Sequence, residues 1–121
     1  MPKECGFPSR YRIRRQADFD RVYGSSVVVA DQVLVIHGSR NDLPFSRLGL
    51  SISRKVGKAV VRNRWKRLIR EAFRRCRDGL PAGYDFVVRP RRGASADYRA
   101  IHHSLPRLAR RLVPKLPENR P

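Results

Sequence analysis

One stretch limits what this chain can fold into more than any other: Val56–Arg75, VGKAVVRNRWKRLIREAFRR. Eight of its last fourteen residues are charged, and only Glu71 among them is acidic. At ~100° per residue, the advance of an α-helix, Val61, Trp65, Leu68, Ile69, Ala72 and Cys76 fall within an arc of ~100°, the width of a core-facing stripe. The spacing therefore predicts a helix that lays this stripe on a second layer, with Trp65 at its centre and charge on every other side. Asp78–Gly79–Leu80–Pro81 then supplies a glycine and proline stop.

Such a helix opposes its own formation. Like charges three and four residues apart repel, and Lys55, Lys58 and Arg62 crowd an N-terminus where the macrodipole disfavours each cation by several tenths of a kcal/mol. A charged helix face is usually just solvated. A solvated face, however, interleaves acids to form i,i+4 pairs, and Glu71 alone cannot supply them. A phosphate bound at the N-terminus would offset both costs, because the backbone N–H groups there point the same way. The composition agrees: 28 Lys and Arg stand against 10 acids in 121 residues, a formal charge of +18. A domain that basic repels itself unless a polyanion neutralises it. Nucleic acid is the usual partner and an anionic membrane the alternative.

The membrane is the weaker of the two. A spanning helix needs ~20 apolar residues, whereas the longest apolar stretches here are Val27–Ala30 and Val33–Ile36. The basic helix is also rich in arginine, whose planar fork suits bidentate phosphate contact. MPKECGFPSR lacks the apolar core of a signal peptide, so a cytoplasmic location is expected. Cys5 and Cys76 belong to no CxxC pattern and read as two reduced thiols.

Along the chain, 40% hydrophobic and 31% charged residues mark a globular composition, and the length suits one compact domain spanning 1–121. A loose arm is expected at about 1–9 and a fraying, proline-rich tail at about 114–121. RRQADFDRVYG reads as a short helix stopped by Gly24. SVVVADQVLVIHGS reads as a strand or a pair of strands interrupted at Asp31–Gln32. FSRLGLSIS and YDFVVRP read as further strands. A last helix starts near Ser95, with Pro106 expected to kink or end it. The order predicts an α+β fold, a two-layer sandwich of helices packed on one small sheet.

Nothing in the sequence forms a catalytic constellation. A protein nuclease needs metal-binding carboxylates or a close histidine pair. Asp18 and Asp20 point to different faces of the first helix, adjacent His102 and His103 diverge by ~100°, and His37 stands alone. No phosphate loop, HExxH or nucleophile motif is present. The expectation is no catalytic residue and no metal site in the protein itself.

Ser53–Arg74, SRKVGKAVVRNRWKRLIREAFR, resembles the signature of the protein subunit of bacterial ribonuclease P, with Arg62-Asn63-Arg64 matching its RNR core. A looser similarity runs from RIRRQADFDRVY through RLGLSISRKVGKAVVRNR to YDFVVRP. The resemblance implies a small mixed sheet in which the basic helix joins two parallel strands by a left-handed crossover, an exception to the usual hand. It implies that the protein assists a catalytic RNA in removing the 5′ leader from precursor tRNA. Carried over, Arg62, Asn63, Arg64, Lys66, Arg67 and Arg70 face the catalytic RNA, with Arg54, Lys55 and Lys58 at the entrance. Phe19 and Tyr23 match an aromatic pair lining a leader-binding cleft between the first helix and the sheet, beside Arg12, Arg14 and Arg15. Plugging the core is the competing role, stronger for Phe19 than for Tyr23. Ile36 is expected in the place of a further cleft aromatic. Mg²⁺ is then expected on the RNA, with no cofactor on the protein alone. The implied partners are the catalytic RNA and precursor tRNA, with no membrane and no stable protein partner. A structural ribosomal-type RNA-binding protein is the alternative and a DNA-binding module the third reading. An open groove for a single strand separates the first reading from the second.

Overall fold

A computed structural model describes residues 8–117. Seven elements follow in order: α1 (Gln16–Gly24), β1 (Val28–Ala30), β2 (Leu34–Arg40), β3 (Arg47–Leu50), α2 (Ala59–Cys76), β4 (Tyr84–Pro90) and α3 (Tyr98–Leu112). The strands form one mixed sheet in the order β1-β2-β4-β3. β2 is antiparallel to both β1 and β4, while β3 and β4 run parallel. A parallel pair needs a crossover of a dozen or more residues, and α2 is that crossover. The fold is α+β, as the order of sequence signals predicts.

SVVVADQVLVIHGS folds as a hairpin, not one strand, and Asp31 is the reason. Its Oδ1 accepts hydrogen bonds from the N–H groups of Val33 (2.8 Å) and Leu34 (3.0 Å), turning the chain locally. Its Oδ2 accepts from Ser104 Oγ at 2.5 Å and from Arg107 at 2.8 Å, which ties the turn to α3.

Strand alternation sorts the sheet into two faces. Leu34 and Ile36 of β2, Leu48 of β3, and Tyr84, Phe86 and Val88 of β4 meet Trp65, Ile69 and Phe73 of α2 and Ile101, Leu105, Leu108 and Leu112 of α3. Gly38 lets α3 close on β2, since a Cβ there would lie 2.4 Å from Leu112 Cδ2. α2 and α3 run in the same direction. Arg64, early in α2, donates to the Ala96 carbonyl before α3, and Arg110, late in α3, donates to the Gly79 carbonyl after α2. The opposite face carries only α1, whose Val22 packs with Ile13, Val87 and Phe19. Helices thus lie on both sides of the sheet, two on one face and one on the other, where the sequence predicted two layers; the apolar residues on the α1 face, Val22, Ile13 and Val87, are the reason.

Three further details depart from the sequence-based expectation. The buried stripe of α2 is Trp65, Ile69, Ala72 and Phe73, centred near Ile69 and rotated ~40° from the expected arc. Val61 is 38% exposed because it lies over the Gly57 turn instead of the sheet, whereas Phe73 is fully buried. α3 continues through Pro106 without ending. The ring removes the hydrogen bond to the His102 carbonyl, but His102 is exposed, so water can satisfy that oxygen. Leu105, Leu108 and Leu112 meanwhile hold the helix to the core. Finally, the expected tail docks as far as it is described. Leu116 is buried, and Arg40 Nε donates to the Pro117 carbonyl at 2.9 Å. Residues 1–7 of the expected arm and 118–121 of the tail lie outside the described residues.

Candidate nucleic-acid interface

The basic surface is built around the start of α2. Arg54 and Lys55 stand exposed on a 3-10 turn (Arg54–Val56). Gly57, at φ 155°, then swings the chain into Lys58, the N-cap residue. No side chain caps the helix there, so its first N–H groups face outward with cations around them. Asn63, Arg64 and Arg67 are exposed, while Arg62, Lys66 and Arg70 are half-buried. Arg62 is steadied by donating Nη1 to the Gly57 carbonyl at 3.0 Å.

Acids are distributed unevenly along the helix. Glu71 pairs with Arg74 at 2.7 Å and Arg75 at 2.6 Å, so the C-terminal end is partly neutralised. From Arg54 to Arg70 no cation has a carboxylate partner among the described residues. On the flank facing α1 and β3, Lys66 and Arg70 line a cavity of about 170 Å³ with Arg12 and Phe19, and no acid borders it. Burial first, and then the Arg12 charge, pull the Arg70 pKa down. Cations are held together here.

The α1 side separates the two expected aromatics. Phe19 is half-buried against β3, where the absence of a side chain at Gly49 admits its ring; a Cβ there would lie 3.0 Å from Phe19 Cε1. Tyr23, one turn later, is 39% exposed. Its ring meets His37 edge-on, with centroids 4.9 Å apart. His37 lies within β2, opposite Val28 of β1 in register, so both project on the α1 face. Val28 is 45% exposed. Burial, followed by the charge of Arg89, lowers the His37 pKa, so the ring is neutral near pH 7. Tyr23, His37 and Val28 form an open apolar and aromatic strip with cationic Arg89 nearby. Arg14 and Arg15 are exposed at the entry to α1, and Arg12 bridges to Leu48 of β3.

Two expectations are corrected. Ile36 does not face this cleft: it is fully buried beneath α3, and His37 holds the cleft position on β2. His37 is accordingly not alone but paired with Tyr23.

A match to the family model described as Ribonuclease P covers residues 7–113. The chain belongs to the ribonuclease P protein family. The ribonuclease P protein component of Thermotoga petrophila is 36% identical over 111 residues, covering 88% of this chain and 95% of that protein. The one from Geobacillus kaustophilus is 39% identical over 98 residues, covering 79% and 81%. Among solved structures, the ribonuclease P protein of Staphylococcus aureus superposes with a TM-score of 0.74 at 34% identity, covering 88% of this chain and 96% of that one. The Thermotoga maritima protein gives 0.76 at 34% identity, covering 83% and 96%.

Within this ribonuclease P fold, sequence reasoning missed the buried ion cluster that anchors α1. Asp85 is fully buried on β4. It accepts from Arg47 (2.6 and 2.9 Å), Arg21 (2.5 Å) and Asn41 (2.9 Å). Burial alone would push the Asp85 carboxyl up, but these donors outweigh it and hold the pKa below the ordinary value. Arg21 also donates to Ser39 and to the Arg40 carbonyl, and Asp18 pairs with both arginines. The cluster fixes α1, and with it Tyr23, over the sheet. Elsewhere burial pushes the Cys76 thiol up to about 11, which suits an inert reduced thiol. No helix among the described residues is long and apolar enough to cross a membrane.

Proposed function

We propose that this ribonuclease P protein works by gripping RNA at two surfaces. The basic surface from Arg54 to Arg70 binds the catalytic RNA subunit of the holoenzyme. The Tyr23–His37–Val28 strip, with Arg89 beside it and Arg12, Arg14 and Arg15 along the approach to α1, binds the single-stranded 5′ leader of precursor tRNA. Base stacking on exposed aromatics beside cations is how single strands are held without sequence readout. Phe19 supports that surface from beneath, as a packing residue whose edge reaches the cavity shared with Lys66 and Arg70. Bond cleavage belongs to the RNA and its Mg²⁺ ions. The protein contributes leader affinity and lowers the repulsion between two polyanions, in the cytoplasm.

One observation carries the reading. The exposed large hydrophobic side chains among the described residues are Tyr23, Val28, Val60 and Val61. Two lie on the strip and two at the cationic start of α2, so exposed apolar area coincides with both surfaces. A structural ribosomal RNA binder needs the basic surface but not the strip. The test is to purify the protein from its own cell, sequence the RNA that accompanies it, and assay precursor tRNA cleavage before and after the RNA is stripped away. Enrichment of one structured RNA, and cleavage only in its presence, is expected. A dominant ribosomal RNA, or metal-dependent cleavage by RNA-free protein, would overturn the reading.

A further inference from the structure

A third cationic surface lies on the far side of α3 from α2, at the β1 edge of the sheet. An open groove of about 760 Å³ runs between α3 and the β1–β2 turn, bordered by Arg91, Arg92, His103, Arg107, Arg111 and Asp31. We propose that this groove is a second docking site for the RNA subunit, taking the phosphate backbone of a segment other than the one lying on α2. The proposal rests on RNA being the ligand, as argued above.

The groove is cationic by construction. Asp31, the one carboxylate on its border, is already engaged by Ser104, Arg107 and the N–H groups of Val33 and Leu34. These contacts hold its carboxyl down at about 2, against the effect of burial, so the Arg107 partner stays ionised at any ordinary pH. Arg107 and Arg91, which donates to the Asp31 carbonyl at 3.3 Å, are thereby fixed along one wall. Arg92 and Arg111 are exposed, with no hydrogen-bond or ion-pair partner among the described residues. From Tyr98 to Pro117 the chain carries no acid at all, so α3 lacks the i,i+4 pairs of an ordinary solvated helix. Two steadied and two uncommitted arginines facing one groove suit successive phosphates. With helix axes 8–10 Å apart and α3 standing between, one backbone segment cannot follow both α2 and this groove.

The test uses the full chain and the catalytic RNA transcribed from the organism's own gene. Arg92→Ala/Arg111→Ala should melt like the parent protein, yet bind that RNA about 10- to 30-fold more weakly near 0.15 M salt. The slope of log affinity against log salt should fall by about 1.4–1.8, the amount expected for two phosphate contacts. Arg10→Ala/Arg75→Ala removes the same charge from exposed positions away from the groove and should change the slope by less than half as much. Equal effects from the two pairs would overturn the proposal, because only net charge would then matter. Arg64→Ala/Arg67→Ala separates this proposal from the wider reading. Loss on α2 without loss at the groove sinks the groove alone, whereas no loss from either sinks RNA binding as the function. Should the groove variant misfold, a photo-crosslinker at position 111 of the otherwise unaltered chain decides: a crosslink to the RNA supports the groove, and its absence beside a positive control at position 67 overturns it.

Discussion

At Asp85 the chain holds a fully buried charge in place with two arginines and an amide. Removing one member of such a cluster strands the others, at a cost of ~3–5 kcal/mol. Partly exposed Arg21 can recover some hydration, so Asp85→Ala should fall near the lower end in chemical denaturation; a loss under ~1 kcal/mol would contradict a structural role. Asp31 makes a prediction about acid. Its folded pKa, about 2, lies below the ordinary carboxylate value, so the unfolded chain binds the proton more readily. The stabilisation is therefore complete above ~4 and drains away as pH falls toward 2. Asp31→Asn should be less stable at pH 7 and should flatten the acid limb of the stability curve. An unchanged limb would show that Asp31 does not contribute there. Neither cluster was legible in the sequence, because Asp85 lies 38 residues from Arg47 and 64 from Arg21. The Ile36/His37 exchange has a different origin: a strand slipped by one residue turns every side chain to the other face, and a strand with apolar residues on both sides gives little sign of its phase.

Among the elements, the three helices, β3 and β4 were readable from periodicity and stop signals, α2 most clearly of all, whereas the β1–β2 segment left one strand or two open. The error in α2 was rotational. Val61 and Phe73 are both apolar and lie at the two margins of the arc, and which of them is buried depends on where β3 and α3 meet the helix. Trp65 is buried under either rotation. Trp65→Ala should cost ~3–5 kcal/mol through the cavity it leaves. Arg67→Ala, on the exposed side, should change stability by no more than ~0.5 kcal/mol while lowering the salt slope of RNA binding by ~0.7–0.9. Denaturation and binding isotherms for the two variants check the division. If Arg67→Ala unfolds the protein and Trp65→Ala does not, the faces of α2 have been assigned the wrong way round.

Across the whole molecule, most of the described acids serve the fold, and the cations they leave unpaired lie on the surface. Asp18, Asp31, Glu71 and Asp85 all sit in ion pairs, and Asp97 caps α3 by accepting from the Ala100 N–H. The remaining positive charge lies over the start of α2, the outer side of α3 and the approach to α1. The basic surface was legible from one helix, but the open strip was not, since it exists only where α1 leaves part of its sheet face open beside Tyr23 and Val28. The central claim is that this strip holds the leader. Its most direct test is the affinity of the reconstituted holoenzyme for precursor and mature tRNA, with Tyr23 intact and with Tyr23→Ala, over leaders shortened from several nucleotides to none. Stacking is worth ~1–3 kcal/mol per base, so Tyr23→Ala should weaken precursor binding by ~5- to 150-fold. That loss should vanish as the leader is removed, and mature tRNA should bind almost unchanged. Equal losses for precursor and mature tRNA, or a loss independent of leader length, would contradict it.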